Sequence, residues 1–378
     1  ALANNTTASD NFAGGYNALG ANTTGSNNVG IGHRALQANT TANNNTAVGY
    51  QSLYTNTTGD SLTAVGYQAL KASTGVNNTA VGYNAFTANT TGVHNAGLGR
   101  AAGLSNTTGS YNVAIGDAAL PFNTTASNNT AVGYQSLYSN TTGVDNTAVG
   151  DIALRGNTTG GNNVAVGRYA GYSGATSNYG VFVGAQAGFN VTGDNNTAVG
   201  YQAINNGACT GANNTAVGYR AGYSNTTGVE NTFVGRGAAN ANTTGQHNAV
   251  FGDYAYGAGT TGNYNTAIGK NALRFNTTAS LNTAVGYQAL YSNTTAGAHT
   301  AVGYQAAYSN TTSGTIHAFG YQAAYNNTTG TSNLAVGQES LKANTSGSNN
   351  IALGTYALNK NTTASYNTAV GYQAGYSN

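Results

Sequence analysis

The sequence predicts an all-β fold, a parallel β-solenoid of about 22 coils of 17 residues, on three observations. One 17-residue unit recurs through the whole of the 378 residues. Each unit carries a short β-branched segment of the Thr-Ala-Val-Gly kind, suited to a strand. Opposite charges recur one unit apart, as they would if each coil sat on the last. A helix pair needs about 33 to 47 residues per repeat, so helical solenoids are excluded.

The unit is clearest in residues 128–144, NNTAVGYQSLYSNTTGV. With Asn128 as position 1, 22 units begin between Asp10 and Tyr366. Residues 1–9 read as the end of a preceding repeat and 366–378 as a truncated final one. Residues 1–378 therefore form a single continuous array. Units 61–76 and 179–194 have 16 residues, and unit 195–212 has 18.

Position 6 is Gly in all 22 units, and position 9 is Ala or Ser in all 22. Position 5 is Val, Ile, Leu or Phe in every unit but the first. This pattern places position 5, as in Val132, Val149 and Val166, in a narrow core with position 9 facing it. Gly at 6 gives a bend that a Cβ would obstruct. Two short strands per coil are expected, with positions 7, 8 and 11 outward. The Asn-Thr-Thr-Gly stretch at 13–16 reads as a turn in which Asn and Gly take positive φ. The odd-length units should absorb their change in that turn and keep Val183 and Val199 in register, with the extra residue near Cys209 protruding. Asn at position 2 and Thr at 14 and 15 should bond side chain to side chain between coils. At ~4.8 Å per coil, 22 coils would make a rod roughly 105 Å long.

Position 7 tests the stacking. Arg100 is followed one unit later by Asp117, Asp151 by Arg168, and Arg236 by Asp253 and then Lys270. Every acid at this position has a base one coil away. Glu230 and His247 form a further pair at position 1.

Composition bounds the function. Charged residues are 5% of the chain, against roughly 25% in ordinary domains. A net charge of +2 gives no global field for nucleic acid. One cysteine, Cys209, excludes an internal disulfide framework and a cysteine-based zinc site; it reads as a small loop residue. No apolar run is long enough for a membrane-spanning helix. The lack of an initiator Met and of a signal-like start suggests an excerpt. The acids sit at corners and outer positions without pairing with each other, and His299 and His317 fall on opposite faces of adjacent coils. No catalytic set, metal site or cofactor site is therefore assigned. The Asn-x-Thr tracts, as at Asn140, Asn225 and Asn310, match a glycan acceptor pattern that turn composition alone also explains. Three consecutive coils place Tyr287, Tyr304 and Tyr321 at position 7 and Tyr291, Tyr308 and Tyr325 at position 11, with Gln288, Gln305 and Gln322 between. This strip is the candidate recognition surface, though ring packing also stabilises a β-surface.

The string N-[TV]-A-[VI]-G-x-x-A, as in residues 45–52, 112–119 and 163–170, resembles the head repeats of trimeric autotransporter adhesins. The longer NTAVGYQALYSNTTG form resembles repeat arrays of phage tail-fibre proteins. The resemblance covers nearly the whole chain. The adhesin head repeat is typically 14 residues, and here the Asn-Thr-Thr-Gly turn adds three. It implies a left-handed β-roll, a homotrimer or fibre assembly, an extracellular, virion or cell-surface location, and a cell-surface glycan or protein receptor. The expected role is a non-enzymatic fibre shaft of an attachment appendage, tail-fibre-like, presenting a binding tip. The alternatives are a bacterial surface adhesin and an ice- or crystal-binding solenoid built on Thr and Asn ladders. Trimer formation also has a physical argument: with positions 5 and 9 inside, apolar residues at positions 4 and 10 would face outward and need covering.

Overall fold

The computed structural model describes residues 1–312 and 314–377. The chain is an all-parallel β-solenoid of 22 short strands, with no helix among the described residues. It comprises two compact units, Ala1–Thr192 and Gly193–Asn378. The first holds β1 (Phe12–Gly14) to β11 (Val181–Val183), the second β12 (Thr197–Val199) to β22 (Thr368–Val370). In each unit every strand pairs in parallel with its neighbours one coil away, Thr130 on Thr147 and Val132 on Val149 for example.

Each coil has one strand of three or four residues rather than two. The other half of the expected pair is a run of turns. Hydrogen bonds between coils nevertheless continue around it. Gln51 N–H donates to His33 O in the coil before (3.0 Å), and Leu53 N–H to Ala69 O in the coil after (3.1 Å). Amides alternate along the axis because positions 8 and 10 take left-handed φ, +52° at Gln51 and +48° at Leu53. A non-glycine residue there loses roughly 1–2 kcal/mol. At position 10 the burial of Leu, worth about 1.5–3 kcal/mol, offsets it.

Position 6 behaves as the sequence suggests. Gly49 has φ +136°, and a Cβ on it would lie 2.7 Å from the Gly66 carbonyl carbon one coil on. The Asn-Thr-Thr-Gly turn differs: positive φ falls at positions 1, 8 and 10, not on its Asn or Gly. Its glycine is required by close approach instead. A Cβ on Gly59 would lie 2.7 Å from both Thr74 O and Asn56 Oδ1.

The strand faces opposite to the sequence reading. Position 4 is buried, as at Ala131, Ala148 and Ala165, while Val132 and Val149 are half-buried and Val166 is 39% exposed. Position 9 is inside as expected, and position 10 joins it: Leu53, Leu70, Leu137, Leu154 and Leu290 are fully buried, and Leu358 is buried as well. The leucine explains the inversion. Position 4 lies directly against the position-10 side chain of the coil before; a Cβ on Gly30 would stand 3.3 Å from Leu19 Cγ. Alanine fits under leucine where valine would overpack.

Exceptions to this rule compensate each other across coils. Phe86 at position 10 is buried where the next coil has Gly97 and Gly103; a Cβ on Gly97 would sit 2.6 Å from its ring. Phe182 at position 4 fills the space left by Gly171 and Gly188, and Phe233 that left by Gly222.

About a third of the buried residues are amides. Asn140 Nδ2 donates to Asn123 Oδ1 in the coil before (3.2 Å) and to Gly143 O in its own turn (3.0 Å). Asn129 at position 2 donates from Nδ2 to the same Gly143 O (2.9 Å). Its Oδ1 accepts the backbone N–H of Asn146 one coil later (3.0 Å). The side-chain-to-side-chain ladder thus runs chiefly through position 13, while position 2 mainly ties side chain to backbone. Thr at 14 also bonds to backbone, as Thr141 Oγ1 does to Thr158 O (3.1 Å).

The odd-length coils keep register. Val65 pairs with Val81 sixteen residues on, and Val199 with Val217 eighteen on, while Val183 pairs with Val166. Asn206 and Ala208 are exposed in the 18-residue coil, but Cys209 is not. It is buried and accepts from Asn225 Nδ2 (3.5 Å), taking an asparagine's place in the ladder.

The inversion predicts a contrast between neighbours. Ala148→Asp buries an uncompensated charge and should lower stability by more than about 3 kcal/mol. Val149→Asp, on the outer face of a monomer, should lower it by less than about 1 kcal/mol. Denaturant unfolding of the two variants checks this.

Candidate recognition surface

With position 4 inside, alternation turns positions 3 and 5 outward on one strand face. It carries Thr or Val at 3 and larger apolar residues at 5. Leu98, Ile115, Val217, Phe251 and Ile268 are exposed there. Position 7 borders this face, and positions 8 and 11 follow on the turns.

The six predicted tyrosines come together in the second unit as two columns. Tyr287, Tyr304 and Tyr321 stack at 5.2 Å between successive rings, and Tyr291, Tyr308 and Tyr325 at 4.9 and 5.0 Å. Gln305 Nε2 donates to Gln288 Oε1 and Gln322 Nε2 to Gln305 Oε1, each at 2.9 Å. Partial burial pushes the Tyr308 hydroxyl's pKa up, with Tyr291, Tyr325 and Tyr287 adding to the shift. Near-parallel stacking has a chemical consequence. Both faces of Tyr304 and Tyr308 are taken by neighbouring rings, and Phe275 packs edge-on with Tyr291 at the strip's end (5.0 Å), so the strip offers chiefly edges and amides along its length.

A longer column lies in the first unit: Tyr16, His33, Tyr50, Tyr67 and Tyr83 stack at 4.9–5.4 Å. The sequence reading missed it, although all five residues occupy position 7; the histidine breaks the run of tyrosines.

Three position-7 pairs form as stacking requires, while Lys270, the base that follows Asp253, makes no ion pair among the described residues. Arg100 meets Asp117 at 2.8 Å, Arg168 meets Asp151 at 3.3 Å, and Arg236 meets Asp253 at 2.7 Å. His247 and Glu230 lie 3.1 Å apart. Bonding from Arg236 holds the Asp253 carboxyl below its usual range, and the charges of Lys270 and Arg274 add to the pull. Around them, guanidinium groups lie over rings. Arg236 and Arg274 stand 5.1 and 4.9 Å from the Tyr254 centroid, and Arg220 lies 4.9 Å from that of Tyr223.

Three buried titratable groups belong to the core. His299 replaces Asn at position 2. Its backbone N–H donates to Asn282 Oδ1 (3.1 Å), and its ring Nδ1 accepts from the Ile316 backbone N–H (3.1 Å), so the ring is neutral in this bonding. Burial depresses its pKa to about 4, with exposed His317 contributing. Burial raises the Cys209 thiol to about 11. Tyr256 lies at position 10 of a coil whose position 13 is Gly259. Its hydroxyl donates to Gly262 O (3.1 Å), replacing the missing asparagine, and burial pushes its pKa up. Asn140, Asn225 and Asn310, the glycan-acceptor candidates, are buried within the ladders. No cluster of three His, Cys, Asp or Glu suited to a metal ion occurs among the described residues. No helix of the described residues is long and apolar enough to cross a membrane.

The chain matches no protein-family model and no curated protein.

His299 makes stability pH-dependent. Between pH 6.5 and about 4 the unfolded chain binds a proton that the folded one refuses, so stability is full above pH 6.5 and falls with acidification. The loss should reach about 3 kcal/mol for the coils around His299. His299→Asn restores the standard rung and should remove it, as read by hydrogen exchange at pH 7 and 4.

Proposed function

We propose that the chain is a non-enzymatic fibre shaft of an extracellular or virion attachment appendage, assembled from copies of itself around a common axis. The observation that carries this reading is the strand face at positions 3 and 5. In each unit it presents apolar side chains at position 5, exposed at Ile31, Leu98, Ile115, Val166, Val217, Phe251, Ile268 and Phe319 and half-buried at the other valines between them. A long apolar stripe of this kind favours a covering partner. The same face of a second and third copy is the simplest one, since a repeated surface meets itself in register. Left-handed winding and trimeric assembly follow from the resemblance to adhesin heads and tail-fibre arrays. The apolar residues that need covering lie at positions 3 and 5, and not at 4 and 10.

Variation along the unit supports a scaffold. The inward positions 4, 6, 9 and 13 change rarely and in compensated ways, while the outward positions 7, 8 and 11 vary. A receptor, glycan or protein, would meet the outward positions, with the Tyr287, Tyr304 and Tyr321 column and its Tyr291, Tyr308 and Tyr325 partner as one contact strip. A binding tip would lie elsewhere in the appendage. The ice- or crystal-binding reading needs an unbroken threonine row. The outward position 3 instead carries Val113, Val164, Val181, Ala249 and His317 among its threonines.

Removal of residues 281–331, three whole coils, should leave folding and assembly intact and shorten the fibre by ~14 Å, measured by electron microscopy. Val149→Asp should keep the coil folded yet abolish association in sedimentation. Loss of folding on coil removal, or unchanged association of the Val149→Asp chain, would contradict the proposal.

A further inference from the structure

The charges of this chain are sparse, yet four of its eleven Lys and Arg residues fall between Arg220 and Arg274. Arg220, Arg236, Lys270 and Arg274 occupy outward positions 7, 8 and 11 in three of four successive coils of the second unit, the coil between holding Asp253 and Tyr254. The acids between Arg220 and Arg274 are Asp253 at position 7 and Glu230 at position 1, giving four cations less two acids, +2, as much as the net charge of the whole chain, and Glu230 lies 3.1 Å from His247. Asp253 is spent on Arg236, which it grips through two bonds of 2.7 and 2.9 Å. Among the described residues no carboxylate forms an ion pair with Arg220, Lys270 or Arg274.

The arrangement around these cations is built rather than scattered. Tyr254 lies over Gly237, where a Cβ would stand 2.6 Å from its ring, and Arg274 lies over Gly257 in the same way. Both glycines let a large side chain lie flat on the coil. Tyr254 is thereby placed between Arg236 and Arg274, and Arg220 lies over Tyr219 and Tyr223 at 5.5 and 4.9 Å. Arg220 Nε donates to Gln202 Oε1 (2.8 Å), which leaves its terminal N–H groups outward. A guanidinium set over a ring in this way can offer its remaining in-plane N–H groups to an oxyanion, the geometry that suits carboxylate and sulfate.

We propose that the surface formed by Arg220, Tyr254, Lys270 and Arg274 binds an anionic glycan, its carboxylate or sulfate groups held by the cations and its sugar rings set against the tyrosines. The amide of Asn271 flanks the patch at position 8 and suits a sugar hydroxyl. The patch spans only four coils, roughly 14–19 Å at strand spacing, which matches a few sugar residues better than the long phosphate track that nucleic acid needs. The proposal rests on local charge and ring geometry and stands independently of fibre assembly.

Binding of the 378-residue chain to dextran sulfate, polygalacturonate and uncharged dextran tests it. Dextran sulfate or polygalacturonate should bind and dextran should not; binding of the first alone assigns a sulfate ester, of the second alone a uronate. Lys270→Gln with Arg274→Gln should weaken binding by about tenfold or more, the size expected for two lost charge-assisted bonds. Tyr254→Leu, which leaves charge unchanged, should weaken it severalfold. Arg100→Gln, at a paired position of the first unit, should leave it unchanged. Should the double variant melt early, Lys270→Glu at an exposed position gives the same readout. Equal binding by the double variant, equal binding of dextran, no binding at all, or tighter binding of single-stranded DNA or polyglutamate would overturn the proposal.

Discussion

The structure depends on a carbonyl that accepts two side-chain amides. A coil with one three-residue strand leaves most of its backbone outside regular pairing, and its turns bring peptide groups into the interior. Unpaired, each buried group would lower stability by about 1–3 kcal/mol. The asparagines at positions 2 and 13 meet this need from either side of the turn, converging on the position-16 carbonyl, as Asn129 and Asn140 do on Gly143. The same asparagines reach to the next coil, so satisfying one turn ties it to its neighbour. Where a rung lacks its partner the result is visible. Asn157 and Asn242 precede Gly174 and Gly259, and their Oδ1 atoms are buried without a hydrogen bond.

The rest of the core is small because two asparagines of each standard coil take much of it. One leucine or phenylalanine and two alanines fill what remains, and the leucine holds a strained φ to do so. Volume is therefore conserved between coils rather than within one. Phe86, Phe182 and Phe233 each sit beside glycines of adjacent coils, so a substitution at one level is felt at the next. The strand's larger side chains are turned outward by this economy of space, which gives each unit the apolar face on which the proposed self-association rests.

Much of this was legible in the sequence. The period, the strand position, Gly at 6, the small residue at 9 and the three ion pairs at position 7 follow from spacing alone. Stacking converts a 17-residue interval into contact, so the pairing of Arg100 with Asp117 and the tyrosine columns could be read directly. The inward face of the strand could not. Positions 4 and 5 are both apolar, and size alone favours the larger residue for the core, whereas the position-10 leucine of the preceding coil, eleven residues before position 4, decides the matter through a left-handed backbone that the sequence does not announce. Cys209 and Tyr256 were hidden for a related reason: each replaces an asparagine function with different chemistry. The basic patch around Tyr254 was split across positions 7, 8 and 11 and became one surface only when the ring and Arg274 were seen lying over glycines.

The central claim is that side-chain amides, acting coil to coil, hold the backbone of the turns in place. Native-state hydrogen exchange on the Asn129→Ala chain tests it most directly. That change removes the acceptor of the Asn146 N–H and one of the two donors to Gly143 O. The account requires a large loss of protection at the Asn146 amide and in the 140–146 turn, with distant coils unchanged. Unaltered exchange at Asn146, or an equal loss throughout the chain, would show that the ladders do not carry the fold.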